Sequence, residues 1–258
     1  MDKIKKLGVQ LYTIRDFMKN EAGIRESFKK LKDMGYDQAQ TAGCKIPYEL
    51  FGQIANEEGI EIVGTHDNFD LMADDFETSY QNHLHLGTKI MGIGGFFATS
   101  LDKYDEFIAK ANEVGRKIGE KGGKFTYHNH HHEFMRLSNG QIAMDYLADN
   151  LNPETTSFVL DTHWVQRGGG DVCGWIEKLS GRIDILHLKD FMVYRNEETK
   201  EFLPTYAEIG NGNLDWYKII ETAQKSGVKY YVVEQDTCPA DPFDSLKISS
   251  DYIHRNFM

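Results

Sequence analysis

The sequence predicts an α/β fold in which eight β/α units close into a single barrel. Three observations carry that prediction. A cycle of short apolar run, polar loop, amphipathic segment and glycine recurs eight times. The length, 258 residues, suits one complete β/α barrel. The glycine signature of an open dinucleotide-binding sheet does not follow the first strand.

The strand candidates are residues 7–12, 36–40, 61–66, 89–93, 124–128, 157–161, 184–188 and 230–234. Helical spacing fills the gaps between them. Ile24, Phe28 and Leu31 share one face, as do Phe107, Ala111, Val114 and Ile118. Phe76, Tyr80 and Leu84 repeat the pattern, and Ile219, Ile220 and Ala223 form a stripe beside Trp216. Gly35, Gly59, Gly87 and Gly227 sit where helices would stop, because glycine accepts the left-handed conformation that ends a helix. With five scattered prolines and no linker-like stretch, residues 1–258 read as one domain. The turns 167–171 and 210–216 are glycine-rich but lack the Lys-Ser/Thr of a phosphate loop. A long connection, 189–213, suggests a lid, a solvated excursion or an oligomer contact.

Composition narrows the function. A chain that is 40% hydrophobic and 27% charged has the make-up of a folded globule. A net charge of −11 without a basic run argues against a nucleic-acid partner. Three cysteines without CxxC spacing argue against a disulfide framework or a structural zinc site. No signal-peptide core and no membrane-length apolar run are evident, so a cytoplasmic protein with no membrane partner is expected.

In such barrels the C-terminal strand ends carry the chemistry. Those ends read YHNHHHEF (127–134), LDTHW (160–164), LHLKD (186–190) and VEQD (233–236). Asp161, His187 and Glu234 end three different strands, and Glu133 lies just beyond a fourth. A single acidic residue at a strand end often caps the next helix. Three carboxylates converging without a counter-charge would repel strongly, and a divalent cation would relieve that. An oxygen-rich set with one imidazole suits Mn²⁺, with Mg²⁺, Co²⁺ or Zn²⁺ as alternatives. In the histidine run, strand alternation sends His128 and His130 one way and His131 the other, so at most about half the run can face the barrel mouth. Phe96 and Phe97 read as pocket wall or core, and His83, His85 and His254 as surface or packing residues.

YHNHHHEF, LDTHWV, LHLKD, YAEIGNGNLDW and VVEQD, with DPFDSLKISSDYI near the end, resemble the xylose isomerase-like TIM-barrel superfamily, the sugar phosphate isomerase/epimerase group. The likeness covers nearly the whole chain. It implies a metal held by Glu133, Asp161, His187 and Glu234, with His128 or His130 as the alternative to Glu133, because ketose epimerases place their first glutamate at the end of strand five, where this chain has His128. It further implies a metal-dependent isomerase or epimerase, acting by proton transfer beside a chelated carbonyl of a sugar or cyclitol, through an enediolate. Glu133 and Glu234 would exchange protons on opposite faces. His128, His130, His163 and Lys189 would shuttle protons, and Gln10, His66 and Trp164 would bind substrate. A lyase acting on a keto-cyclitol or C-glycoside is the alternative, because Trp164 and Lys189 depart from the ketose-epimerase pattern. A non-catalytic carbohydrate-binding barrel, and assembly as a homo-oligomer, also fit.

Overall fold

The structure, a computed structural model, describes residues 2–258. Its strands are β1 (Gly8–Gln10), β2 (Gln38–Ala42), β3 (Glu61–His66), β4 (Ile90–Ile93), β5 (Lys124–His128), β6 (Thr156–Asp161), β7 (Ile183–Leu188), β8 (Asp190–Arg195), β9 (Phe202–Ala207) and β10 (Tyr230–Val233). The helices are α1 (Glu21–Asp33), α2 (Tyr48–Glu57), α3 (Phe69–Asp74), α4 (Phe76–His85), α5 (Leu101–Glu120), α6 (Ala143–Asn150), α7 (Thr162–Arg167), α8 (Val172–Lys178), α9 (Trp216–Lys225) and α10 (Pro242–Phe257). Eight strands form one parallel sheet in the order β3-β2-β1-β10-β7-β6-β5-β4. That is the order of a β/α barrel, with β10 as the eighth stave.

The periodicities explain the elements. Ile24, Phe28 and Leu31 are fully buried on α1, whose N-terminus is capped by the Asn20 side chain accepting from Gly23 N–H. Gly35, Gly59, Gly87 and Gly227 all have positive φ. On α4 the inward face differs from the sequence reading. His83 is buried and Leu84 is 39% exposed, so the stripe runs Phe76, Tyr80, His83. The first strand is shorter than 7–12. The Gln10 side chain accepts from Tyr12 N–H and turns the chain into a 3-10 segment, Leu11–Ile14.

His83 has a structural task at the barrel seam. Neighbouring strands β3 and β4 share no regular ladder. Asp67 N–H donates to the Gly92 carbonyl at 2.8 Å, and Gly92 N–H donates to Thr65 Oγ1 at 3.1 Å. His83 Nδ1 lies 2.7 Å from the Ser79 carbonyl, which can only accept, so Nε2 accepts from the Thr65 hydroxyl at 2.8 Å. Gly92 permits this closeness. A Cβ there would lie 2.1 Å from Thr126 Oγ1 and 2.5 Å from the Thr65 carbonyl.

Val63, Val159, Ile185 and Val232 form a small apolar cluster inside the barrel, separate from the larger core between strands and helices. The long connection after β7 is built around paired strands. It holds the antiparallel hairpin β8–β9, paired from Asp190↔Ala207 to Arg195↔Phe202.

The glycine-rich turn beyond the hairpin is organised by Asp190. Its buried carboxylate accepts from the N–H groups of Phe191, Gly210, Gly212 and Leu214, and from Trp216 Nε1 at 2.7 Å. At Gly212 a Cβ would come within 2.2 Å of Asp190 Oδ1, which excludes a side chain. Asp190→Ala would leave these donors, the buried Trp216 Nε1 among them, without their shared acceptor. We expect a loss of about 3–5 kcal/mol in urea unfolding, with Asp190→Asn losing less because one acceptor oxygen survives.

Candidate active site and metal centre

Strand alternation aims the site. Val159, Ile185 and Val232 point into the barrel, so Asp161, His187 and Glu234, each two residues on, point the same way one layer higher. His128 ends β5, and Lys189 follows β7 two residues after His187. One donor atom from each of His128, Asp161, His187 and Glu234 lies within 4.8 Å of the others, and all four residues are buried.

Surrounding bonds fix which atom each residue presents. His128 Nδ1 lies 3.1 Å from the Gly94 carbonyl and must donate to it, so its Nε2 lone pair faces Asp161 Oδ2 at 3.5 Å and Glu234 Oε2 at 4.0 Å. His187 Nε2 lies 2.5 Å from Gln40 Oε1, an acceptor, which turns Nδ1 toward Glu234 Oε2 at 2.7 Å and Asp161 Oδ2 at 3.6 Å. Asp161 does two things at once. Oδ1 caps α7 by accepting from Trp164 N–H at 2.9 Å, and Oδ2 faces the cluster. Asn129 Oδ1 holds the Asp161 N–H at 2.9 Å.

Lys189 stands among the carboxylates, fully buried. Its Nζ lies 3.0 Å from Asp161 Oδ2, 3.1 Å from Glu234 Oε2 and 2.6 Å from Asp236 Oδ2. Trp164 covers it, with the ammonium 5.0 Å from the ring centre. The sequence reading required an added cation to make converging anions tolerable. The protein supplies one itself. Three carboxylates against one ammonium still leave two negative charges, the charge of one divalent ion.

The donor set fits such an ion. His128 Nε2, Asp161 Oδ2, His187 Nδ1 and Glu234 Oε2 are buried and lack a well-aligned hydrogen-bond partner, although several sit at ion-pair distance. Two imidazoles and two carboxylates suit Mn²⁺, Co²⁺ or Zn²⁺ better than Mg²⁺.

Several expected roles move. Glu133 is not in this group. Tyr127 O–H donates to its Oε1 and His130 N–H to its Oε2, both at 2.8 Å, so its carboxylate braces the 129–134 loop, and His128 stands in its place. Gln10 is spent on the protein. Its Nε2 donates to Gln40 Oε1 at 2.9 Å and lies 3.2 Å from His66 Nδ1, so it positions residues rather than substrate. His163 Nδ1 donates to the Asp190 carbonyl at 2.9 Å and its ring stacks on Tyr206, behind the cleft. Trp164 roofs Lys189 and stacks on His131. Of the aromatic pair, Phe96 packs on Phe107 in the core, and Phe97 lies at the cleft. The sequence reading missed Asp236, Gln40 and Tyr206. Only Asp236 left a trace, two residues beyond Glu234 at the same strand end.

A cleft of about 350 Å³ opens over the cluster, lined by His66, His128, His130, Glu234 and Asp236, with Tyr12, Ala42, Asp67, Gly94 and Phe97 around them. Residues 28–252 match the family described as xylose isomerase-like TIM barrel. The chain belongs to that family. Among curated relatives, an inosose dehydratase of Geobacillus thermodenitrificans is 27% identical over 164 residues, 59% of this chain and 54% of that protein. The chain thus spans about half the length of the curated relatives it matches. A sugar phosphate isomerase/epimerase structure from Parabacteroides distasonis superposes with TM-score 0.82 at 23% identity, covering 96% of this chain and 97% of that one. A xylose isomerase-like TIM-barrel protein from Mycobacterium smegmatis, solved in complex with magnesium, gives TM-score 0.69 at 13% identity, covering 97% and 95%. Both structural likenesses are of fold. No helix among the described residues is long and apolar enough to cross a membrane.

In this family member the charges settle one another. Burial alone would neutralise Lys189, but Asp161, Glu234 and Asp236 hold its pKa above the usual lysine range. Burial likewise opposes ionisation of Asp161 and Glu234. Lys189, His187 and His128 overcome it and hold both well below ordinary carboxylates. Against burial, Glu234 and Asp161 raise His187. His66 and His130 go the other way. Burial and the neighbouring His128 lower both, His130 to about 2, so they face the cleft as neutral imidazoles. Burial also raises Glu133 and lowers His163.

Lys189→Met should therefore destabilise the metal-free protein by about 3–5 kcal/mol at neutral pH. Carboxylates with depressed folded pKa values stabilise above their unfolded pKa, near 4. The deficit should shrink as pH falls below that value and the unpaired acids take up protons. Urea midpoints at neutral and acid pH test this, and a deficit that grows on acidification would contradict it.

Proposed function

We propose that this protein is a divalent-metal-dependent enzyme that removes a proton beside the carbonyl of a polyhydroxylated carbonyl compound and then expels a β-hydroxyl as water. His128, Asp161, His187 and Glu234 would hold the metal. When bound, it supplies Lewis-acid polarisation of the carbonyl and acidifies the neighbouring C–H.

The remaining work falls to side chains. Glu234, kept ionised by its cationic neighbours, faces the cleft and takes the proton. The C–H electron pair becomes the new double bond, and the C–O bond to the β-hydroxyl breaks. The observation that carries this reading is Lys189 bridging Glu234 at 3.1 Å and Asp236 at 2.6 Å. Through that bridge the proton gained by Glu234 passes to Asp236, which lines the cleft and delivers it to the departing hydroxide. Protons balance and water leaves. His66 accepts at Nδ1 from Gln10, so Nε2, buried without a protein partner beneath the cleft, carries the proton, and it holds a substrate hydroxyl together with neutral His130.

Elimination fits better than epimerisation. Returning a proton to the opposite face needs a second acid there, and Glu133, the expected one, is bonded into its loop. The relatives named inosose dehydratase support the same direction.

Metal binding has its own signature. Without the ion, His187 stays protonated beyond the usual range because Glu234 and Asp161 oppose the effect of burial. Coordination through Nδ1 must displace that proton. Titration of the protein with Mn²⁺ should release protons, and affinity should fall as pH drops. Calorimetry in buffers of different ionisation enthalpy reads both. Gln40→Leu should weaken the ion about 10–100-fold by freeing the imidazole.

The reaction is tested by incubating metal-loaded protein with inososes, ketoses and C-glycosides in D₂O. Loss of water from a keto-cyclitol, abolished by Glu234→Gln with folding intact, is the expected result. Deuterium uptake without elimination would make it an isomerase or epimerase, and loss of an aglycone a C-glycoside lyase. Sugar binding without exchange would leave only a carbohydrate-binding barrel.

A further inference from the structure

We propose that the substrate of this cleft is uncharged and carries no phosphate group. This rests on the function proposed above and adds the substrate class.

Every charged side chain that lines the cleft is acidic. Asp67, Glu234 and Asp236 face it, and among the described residues of the lining there is no Lys or Arg. The cation beneath, Lys189, is shared by Asp161, Glu234 and Asp236 and has no charge to spare. A divalent ion would only cancel what these carboxylates leave over, and Asp67 remains. Arg15 lies at the edge, outside the lining. Its guanidinium rests on the Tyr12 ring at 4.2 Å and donates to the Tyr12 and Asp236 carbonyls at 2.8 and 3.1 Å.

Main-chain amides provide no substitute. Barrels commonly bind phosphate at the loops after their seventh and eighth strands. Here the loop after β10 carries Glu234 and Asp236, and the segment after β7 begins with Lys189, already held by three carboxylates, and Asp190. The glycine-rich turn 210–216 has the converging N–H groups of an anion nest. That nest is already filled. Gly210, Gly212 and Leu214 N–H all donate to Asp190 at 2.9–3.2 Å. The protein's own carboxylate occupies the place a phosphate would take.

The other lining groups suit hydroxyls and ring faces. His66 Nε2 and His130 Nδ1 are buried polar atoms without protein partners. Tyr12 and Phe97 line the same cleft while 40% and 72% exposed, giving apolar surface for the C–H side of a ring.

The test uses the Mn²⁺-loaded protein in calorimetric titrations. The probes are an inosose, D-fructose and D-fructose 6-phosphate, with inorganic phosphate as competitor against whichever neutral probe binds. A neutral probe should bind at least about tenfold tighter than the phosphate ester at low salt. Added salt should narrow that gap, and inorganic phosphate should not displace the neutral probe. An ester that binds as well or better, or displacement by phosphate, overturns the inference and leaves the proposed chemistry standing. A gap indifferent to salt overturns it too, because shape and not charge would then discriminate. If neither class binds, the proposed function fails and this inference goes with it.

Discussion

A buried lysine held by three carboxylates governs the working end of this barrel. Removing an ammonium and several carboxylates from water is costly, and each is tolerated only because the others are there. Lys189 keeps Asp161 and Glu234 ionised, they keep it protonated, and Asp236 anchors the third side. The two imidazoles complete the arrangement because Gly94 and Gln40 fix their tautomers. A set of strand ends thereby becomes a preorganised polar site, with fixed charges and few rotatable choices.

The architecture was legible because it is repetitive. Alternation between short apolar strands and 3.6-period helices located every stave, and four glycines marked helix ends that the backbone confirms with positive φ. The misses came where a local polar bond overrode a periodic pattern. Gln10 capping Tyr12 shortened the first strand, and a hydrogen-bonded His83 displaced Leu84 from the inward face of α4. The hairpin β8–β9 lies inside the long connection 189–213, and its strand alternation is hidden by the charged residues at the tip.

The site was legible in composition more than in detail. Asp161, His187 and Glu234 were readable as a convergent group from their places at strand ends. His128 or His130 was already the alternative to Glu133; the choice between them was not legible, because it depends on Tyr127 and the His130 amide drawing the Glu133 carboxylate away. Alternation puts Lys189 in phase with His187, but its part as the resident counter-charge depends on Asp161, Glu234 and Asp236 all reaching its ammonium, which the sequence does not show. Gln40 was invisible for a similar reason. Its value lies in one acceptor oxygen placed against His187, a contact 147 positions away in the chain.

The joint between β3 and β4 has a bearing on this polar end. Seven of the inter-strand contacts around the barrel are parallel ladders, two of them with a register shift, and the eighth is a short relay through Thr65, His83 and Gly92. Breathing of the cylinder is cheapest where hydrogen bonds are fewest. His66 sits on one lip of that joint, and the Gly94 carbonyl that steers His128 sits on the other. The stretch of wall without a ladder therefore runs beside the groups whose aim matters most. A threonine hydroxyl and a histidine on an outer helix act as the clasp that keeps two imidazoles in register.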